Sequence, residues 1–320
     1  MNEAPPPPAH AVFEAAARIA PHAAVTPVLR SQTLDALAGA QLAFKAEHLQ
    51  RSGAFKFRGA CNAVWSLPAK QAPAGVVTHS SGNHGAALAP AAVTRGIACH
   101  VVVPEGAVAA KLANIARHGA TLWQCAPTIA AREAMCAQVQ ADTGATLVHP
   151  YTDAAVIAGQ GTAALELLQA EGPFDVLVVP VGGGGLAAGT ALALQQVSPQ
   201  TRLVLAEPAG AADTARSLQA GERRIDFVPD TVCDGLRGTL GAPNFQVLQA
   251  AGAEVIVVDD AATVAAMRLL WQVLKQTVEP SSAIALAAVL AQPQRFAGLR
   301  VGLVLSGGNV DIDALPWAAA

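Results

Sequence analysis

VLVVPVGGGGL, residues 176–186, sets the reading of this chain. An unbroken apolar, valine-rich run suits a strand covered on both faces, and here it passes straight into four glycines and an alanine-rich helical pattern. That is one βα unit of a parallel, doubly wound sheet. Working outward, the same rhythm places strands at 41–47, 75–79, 98–103, 121–125, 146–149, 202–206, 254–258 and 300–305. Helices are expected at 83–95, 108–118, 128–142, 154–169, 186–196, 262–276 and 281–290. With 176–181 the strands number nine, more than one compact sheet needs. The expectation is therefore an α/β protein with two doubly wound open-sheet domains.

Composition narrows the function. The 320 residues are 52% hydrophobic and 13% charged, with a formal net charge of −3. That balance offers nucleic acid and anionic lipid no attraction. The apolar residues are dispersed, and no run reaches the roughly eighteen that a membrane span requires. Glu3, four prolines and Glu14 interrupt the first twenty residues, unlike a secretory leader. Cys61, Cys99, Cys125, Cys136 and Cys233 are scattered and form no C-x-x-C pair. Buried thiols in a reducing cytosol are expected, rather than a disulfide framework or a zinc site.

Four loops at strand ends carry unusual residues, where open α/β sheets bind ligands. Gly182, Gly183, Gly184 and Gly185 leave backbone N–H groups uncovered at a helix start, a cradle for a compact phosphate. The pattern is neither G-x-G-x-x-G nor a P-loop, so a dinucleotide or a nucleoside triphosphate is not the expected ligand. The stretch 79–85, HSSGNHG, can cap a helix or grip a carboxylate, and the residues alone leave both open. SGGNV, 306–310, places a hydroxyl after a strand and by itself reads as a capping turn. In SGAFKFRG, 52–59, Lys56 lies between two phenylalanines. Desolvation there would lower its pKa and make it a usable amine, although a surface lysine at a helix start is the commoner case.

Taken together and in order, SGAFKFRG, THSSGNHG, VIAGQGT, VVPVGGGG, AEP, EPSSA and LSGGNVD closely resemble the serine racemase and serine/threonine dehydratase family. These are fold type II enzymes that use pyridoxal 5'-phosphate (PLP), and the resemblance runs from about Thr26 to Asp311. It implies Lys56 as the lysine joined covalently to the cofactor and Gly182–Gly185 as its phosphate cradle. Phe55 would pack on the cofactor ring, Asn83 would meet its hydroxyl and Ser306 its pyridine nitrogen, with Glu279 also in the cofactor site. Ser81 would face the ring opposite Lys56. Ser80, Ser81, Gly82, Asn83 and His84 would bind substrate. The resemblance also implies a large domain of residues 1–73 and 152–320, a small mobile domain of 74–151, and a homodimer.

The activity implied is loss of water and ammonia from a small β-hydroxy amino acid, giving a 2-oxo acid. Racemisation competes if Ser81 returns a proton from the second face. Glu207, the Ala211 carbonyl and Asp213 resemble the family's divalent-cation site, for Mg²⁺, Ca²⁺ or Mn²⁺. One departure bears on substrate: Gly238 stands where serine racemases tend to carry serine. Arg132 and Arg237 would then welcome a second carboxylate, or be two solvated arginines. Serine, threonine and 3-hydroxyaspartate all stay open. A non-catalytic amino-acid sensor on the same fold is disfavoured by the intact Lys56, Ser81 and Glu279.

Overall fold

The computed structural model describes residues 5–107 and 109–317 and contains two open sheets. Their strands are β1 (Val28–Leu29), β2 (Gln41–Lys45), β3 (Val76–His79), β4 (Cys99–Pro104), β5 (Thr121–Cys125), β6 (Thr146–Leu147), β7 (Val176–Pro180), β8 (Arg202–Pro208), β9 (Glu254–Val258) and β10 (Arg300–Val304). The helices are α1 (Ala11–Ile19), α2 (Gln32–Ala38), α3 (Lys56–Ser66), α4 (Asn83–Arg95), α5 (Ala109–Arg117), α6 (Ile129–Thr143), α7 (Ala154–Glu171), α8 (Gly185–Val197), α9 (Asp213–Ala220), α10 (Ala242–Ala250), α11 (Asp260–Leu269) and α12 (Pro280–Ala291). The six-stranded sheet runs β1-β2-β10-β7-β8-β9, parallel except at β1. The four-stranded sheet runs β5-β4-β3-β6, parallel throughout. The expected α/β architecture holds.

The continuous apolar strands owe their pattern to helices on both faces. All five residues of β7 are buried. Leu286, Ile284 and Met267 of α12 and α11 pack with Val176 and Val178 on one side; Leu165, Leu186 and Val247 of α7, α8 and α10 pack with Leu177 and Val179 on the other. Each such Leu or Val contributes about 1.5–3 kcal/mol on burial. The last strand, β10, inserts between β2 and β7, in register with Phe44 at Leu303 and with Leu177 at Gly302. Ser306 is thereby seated between the chain that leads to Lys56 and the glycine loop.

The differences from the sequence pattern are local. Two-residue β1 pairs antiparallel with β2 and is too short for periodicity to register. The short helix α2 is made by its ends: Ser31 Oγ accepts the Leu34 N–H, and Gly39 closes it in the left-handed region. Neither α9 nor α10 has the long alanine pattern of its neighbours. The helix expected over 262–276 changes at Leu270 to a π-helical turn, Leu270–Leu274, and ends at Lys275 with φ 58°. The strand expected to reach 149 stops at Leu147, where its pairing with β3 ends and the chain turns to bring the Pro150 carbonyl to Lys56 Nζ. Val108, the expected start of α5, lies outside the described residues.

Candidate active site

The glycine loop is a cradle with its back filled. Helix α8 starts from Gly184 at φ 90° with no side chain capping its first turn. By contrast, Asp153 caps α7 and Thr128 caps α6. The uncapped N–H groups and the helix dipole therefore favour an anion. Close packing requires the glycines. A Cβ on Gly182 would stand 2.7 Å from the Leu236 Cα, on Gly183 2.5 Å from the Tyr151 ring, and on Gly184 2.7 Å from Leu240. The Gly183 carbonyl is engaged elsewhere, by Asn244 Nδ2 at 2.6 Å and the Gly241 N–H at 3.1 Å.

Lys56 is the first residue of α3, and its approach is fixed by the loop after β10. Phe55 N–H donates to the Ser306 carbonyl at 2.9 Å, Gly308 N–H donates to the Gly53 carbonyl at 2.9 Å, and Ala54 bridges Gly307. Ser52 and Gly53 turn the chain with φ of 62° and 74°. Lys56 Nζ donates to the Pro150 carbonyl at 2.9 Å and lies 5.2 Å from the centre of the Phe55 ring. Burial lowers its pKa to about 8, against the opposing pull of Glu279. This amine, together with a cradle whose packing behind admits no Cβ, fits a phosphorylated aldehyde.

Asn83 links the two sheets. It opens α4, and its Nδ2 donates to Glu279 Oε1 and Oε2 at 2.8 and 3.1 Å. Its Oδ1 accepts from Asn309 Nδ2 at 2.9 Å, and the same Nδ2 donates to the Ser52 carbonyl at 2.8 Å. Asn309 thus fixes which end of the Asn83 amide faces Glu279. We expect Asn309→Ala to weaken cofactor binding by about tenfold, the worth of one hydrogen bond of about 1.5 kcal/mol, and to move the absorption maximum of the bound cofactor. Fluorescence titration and visible spectra check it. Ser306 is buried, with Oγ 3.4 Å from the Ser281 carbonyl.

The HSSGNHG turn delivers a second open helix start. No side chain caps α4, whose N-cap is Gly82, and Ser80 Oγ accepts the Gly82 N–H at 3.3 Å. Ser81 is half-buried on this turn. His84 is buried with Nε2 3.3 Å from the Val148 carbonyl, and no hydrogen bond reaches its Nδ1. Burial, then the Lys56 charge, holds its pKa well below the usual value. His149 Nδ1 accepts the Thr152 N–H at 3.2 Å, and burial lowers its pKa to about 3. His79 packs edge-on against His149, with centroids 5.2 Å apart.

Arg132, on α6, is half-buried near enough to His79 for its charge to disfavour a second positive charge there. No hydrogen bond reaches its buried Nε. Of the two readings that the sequence leaves open for the arginines, Arg237 takes the solvated one. It is exposed, and its Nε and a terminal guanidinium nitrogen donate to the Thr231 carbonyl at 3.2 and 2.6 Å, so it does not join Arg132.

Behind the cradle, Glu207 is fully buried at the end of β8, its oxygens accepting the Thr214 and Ala215 N–H groups at 2.7 and 2.8 Å. Asp213 Oδ2 accepts the Leu240 N–H at 2.8 Å, while Oδ1 is buried without a hydrogen bond. Burial raises the two carboxyls to about 7 and about 6. An orphaned acid oxygen beside a second acid and the buried Ala211 fits a cation. Among the described residues no group of three His, Cys, Asp or Glu side chains gathers as a metal site, so the third ligand would be backbone.

Sequence reasoning passed over Pro150, Tyr151, Asn244, His149 and Asn309. The one available signal was the HPYT run at the end of a strand.

Residues 19–307 match the family described as pyridoxal-phosphate dependent enzymes. The chain is 48% identical over 300 residues to a β-hydroxyaspartate dehydratase of Paracoccus denitrificans (strain Pd 1222), covering 94% of this chain and 95% of that protein. It is 46% identical over 309 residues to a serine racemase of Arabidopsis thaliana, covering 95% and 93%. The solved structure of maize serine racemase superposes with a TM-score of 0.93 at 43% identity, covering 96% of this chain and 95% of that one. A match that spans both sheets and contains both the lysine and the glycine cradle places the chain in the pyridoxal-phosphate-dependent enzyme family.

Proposed function

We propose that the protein is a dehydratase of β-hydroxy amino acids whose preferred substrate is 3-hydroxyaspartate. The observation that carries this reading is Arg132, a half-buried guanidinium whose Nε has no hydrogen-bond partner. A partly buried guanidinium with an unpaired Nε is suited to meet a carboxylate, and serine and threonine bring no second one. The name of the Paracoccus relative supports the same substrate.

When bound, PLP supplies the electron sink that makes the substrate's α proton acidic. The open start of α4, with Ser80 and Ser81, binds the α-carboxylate. Arg132 orients the distal one. Lys56, about half uncharged at pH 8, takes the α proton and passes it to the leaving β-hydroxyl. Water leaves from the β carbon, and hydrolysis of the released product gives oxaloacetate and ammonia. The neutral imidazoles of His79, His84 and His149 keep competing positive charge away from Lys56. Ser81 supports a second reading, racemisation, by returning a proton to the other face. The reduced cytosol and a homodimer complete the proposal; five free, buried cysteines support the former.

Product analysis with L- and D-serine, L-threonine and the isomers of 3-hydroxyaspartate tests the substrate. Arg132→Leu is expected to lower kcat/KM for 3-hydroxyaspartate by about 30- to 1,000-fold, as loss of a buried charge pair costs about 2–4 kcal/mol, and for serine far less. If serine or threonine outperforms every hydroxyaspartate isomer in the unaltered enzyme, the reading is wrong.

Glu207 and Asp213, with the Ala211 carbonyl, would hold Mg²⁺ or Ca²⁺ as a structural ion. Their folded pKa values lie above those of the unfolded chain, so the folded state loses stability as pH rises through about 6 to 7. A cation offsets that loss. Added Mg²⁺ is expected to raise Tm at pH 8, and the gain should vanish at about pH 5, where both acids hold protons. Scanning calorimetry of the chelator-treated protein checks it.

A further inference from the structure

Tyr151 is the only tyrosine of the chain, and its ring lies among glycines. It follows Pro150, whose carbonyl holds Lys56 Nζ. Asn244 Nδ2 pins its own carbonyl at 2.9 Å. A Cβ on Gly183 would stand 2.5–2.6 Å from ring atoms Cγ, Cδ1 and Cδ2. On Gly241 a Cβ would lie 3.5 Å from Cδ2, and on Gly238 3.4 Å from Cε1 and 3.8 Å from Cζ. The root of the ring therefore rests on the phosphate cradle, and its phenol end reaches position 238.

The ring continues a row. Tyr151 meets His149 edge-on, with centroids 4.6 Å apart and planes at 85°, and His149 meets His79 at 5.2 Å and 76°. His79 in turn feels the charge of Arg132. Three uncharged rings thus run from Gly183 and Gly238 towards the arginine.

We propose that Tyr151 is a specificity-determining residue: its ring, matched to the bare Gly238, is the wall that sizes the substrate's distal end. The side chain missing at 238 and the ring present at 151 are two halves of one choice, because a Cβ at 238 would already touch the ring at 3.4 Å and any longer side chain there must pack against it. This rests on the substrate reading only in naming which substrate the wall favours.

The first test is a double-mutant cycle on the holoenzyme, reading the ratio of kcat/KM for 3-hydroxyaspartate to that for threonine. Tyr151→Ala opens the wall and is expected to lower the ratio at least about tenfold, the scale of a pocket resized by a few carbons. Tyr151→Phe keeps the ring and the ratio. Gly238→Ser crowds the ring and lowers turnover in the native background, and Tyr151→Ala with Gly238→Ser recovers most of that loss. Additive effects of the two changes, or an unchanged ratio in Tyr151→Ala, overturn the proposal.

The second test needs no variant that could misfold. Fluorotyrosine incorporation gives one fluorine resonance, and succinate, a dicarboxylate of the substrate's length, is expected to shift it saturably in the holoenzyme. A resonance unmoved at succinate concentrations that saturate the thermal stabilisation also overturns the wall. If the enzyme ignores 3-hydroxyaspartate while Tyr151→Ala still changes the serine-to-threonine ratio, the substrate reading fails and the wall stands.

Discussion

Lys56→Ala is expected to reduce 2-oxo acid formation from every accepted substrate by at least about 1,000-fold, since it removes both the proposed covalent anchor and the proposed proton acceptor. The protein should fold as before, because Lys56 Nζ makes one hydrogen bond to a backbone carbonyl and little else depends on it. Borohydride treatment followed by peptide mass analysis should find the cofactor on residue 56 of the native chain and nowhere on the variant. The lowered pKa supplies a second measurement. At pH 8 about half of the Lys56 amines are uncharged, against roughly 0.3% for an unperturbed lysine. Modification of the cofactor-free protein by an amine-selective reagent should therefore label Lys56 first, with a midpoint near pH 8. Native-level turnover in the variant would remove the basis of the proposed chemistry.

Arg58→Leu is expected to cost about 3–5 kcal/mol of folding stability, the usual consequence of stripping a buried charge of its partner. Arg58 is fully buried. Its guanidinium meets Glu47 through Nε and a terminal nitrogen at 2.7 and 2.8 Å, and Glu166 at 2.7 Å twice. Lys45 Nζ closes the cluster at 2.6 Å from Glu166, and Thr26 Oγ1 donates to Glu47 at 2.6 Å. Without the guanidinium, Glu47 keeps a buried negative charge with Thr26 and a lysine 3.9 Å away. Arg58→Lys should recover only part of the loss, since a point charge cannot serve two carboxylates bidentately. The urea midpoint of the cofactor-free protein reads the change. The effect should reach the site as well, because this cluster anchors the first turn of α3 two residues beyond Lys56. A urea midpoint unchanged in Arg58→Leu would show that the cluster contributes nothing.

Legibility followed the local physics of each residue. The glycine cradle was readable because four glycines exceed what a turn needs and follow an apolar strand. Lys56 was readable only with the other motifs beside it, since a lysine at a helix start is ordinary. Ser80, Gly82, Asn83 and His84 share one turn, so a single pattern proposes them together. Arg237 stayed open in the sequence because a basic residue near a loop says nothing about which carbonyl its guanidinium will meet; here it is that of Thr231.

The order of apolar runs, the glycines at strand ends and the spacing of α-helical alanines were enough to determine two doubly wound sheets and to single out the loops to which the proposed chemistry is assigned. Those features act within ten or so residues, where steric and hydrophobic preferences are encoded directly. Tertiary structure alone decided the rest. Insertion of β10 between β2 and β7 brings Asn309 to Asn83, 226 residues away in sequence, and packing of the two sheets brings Pro150 to Lys56 across 94. An aromatic ring seated on distant glycines, and an arginine whose buried Nε makes no hydrogen bond, are properties of packing, and no local pattern in the chain encodes them.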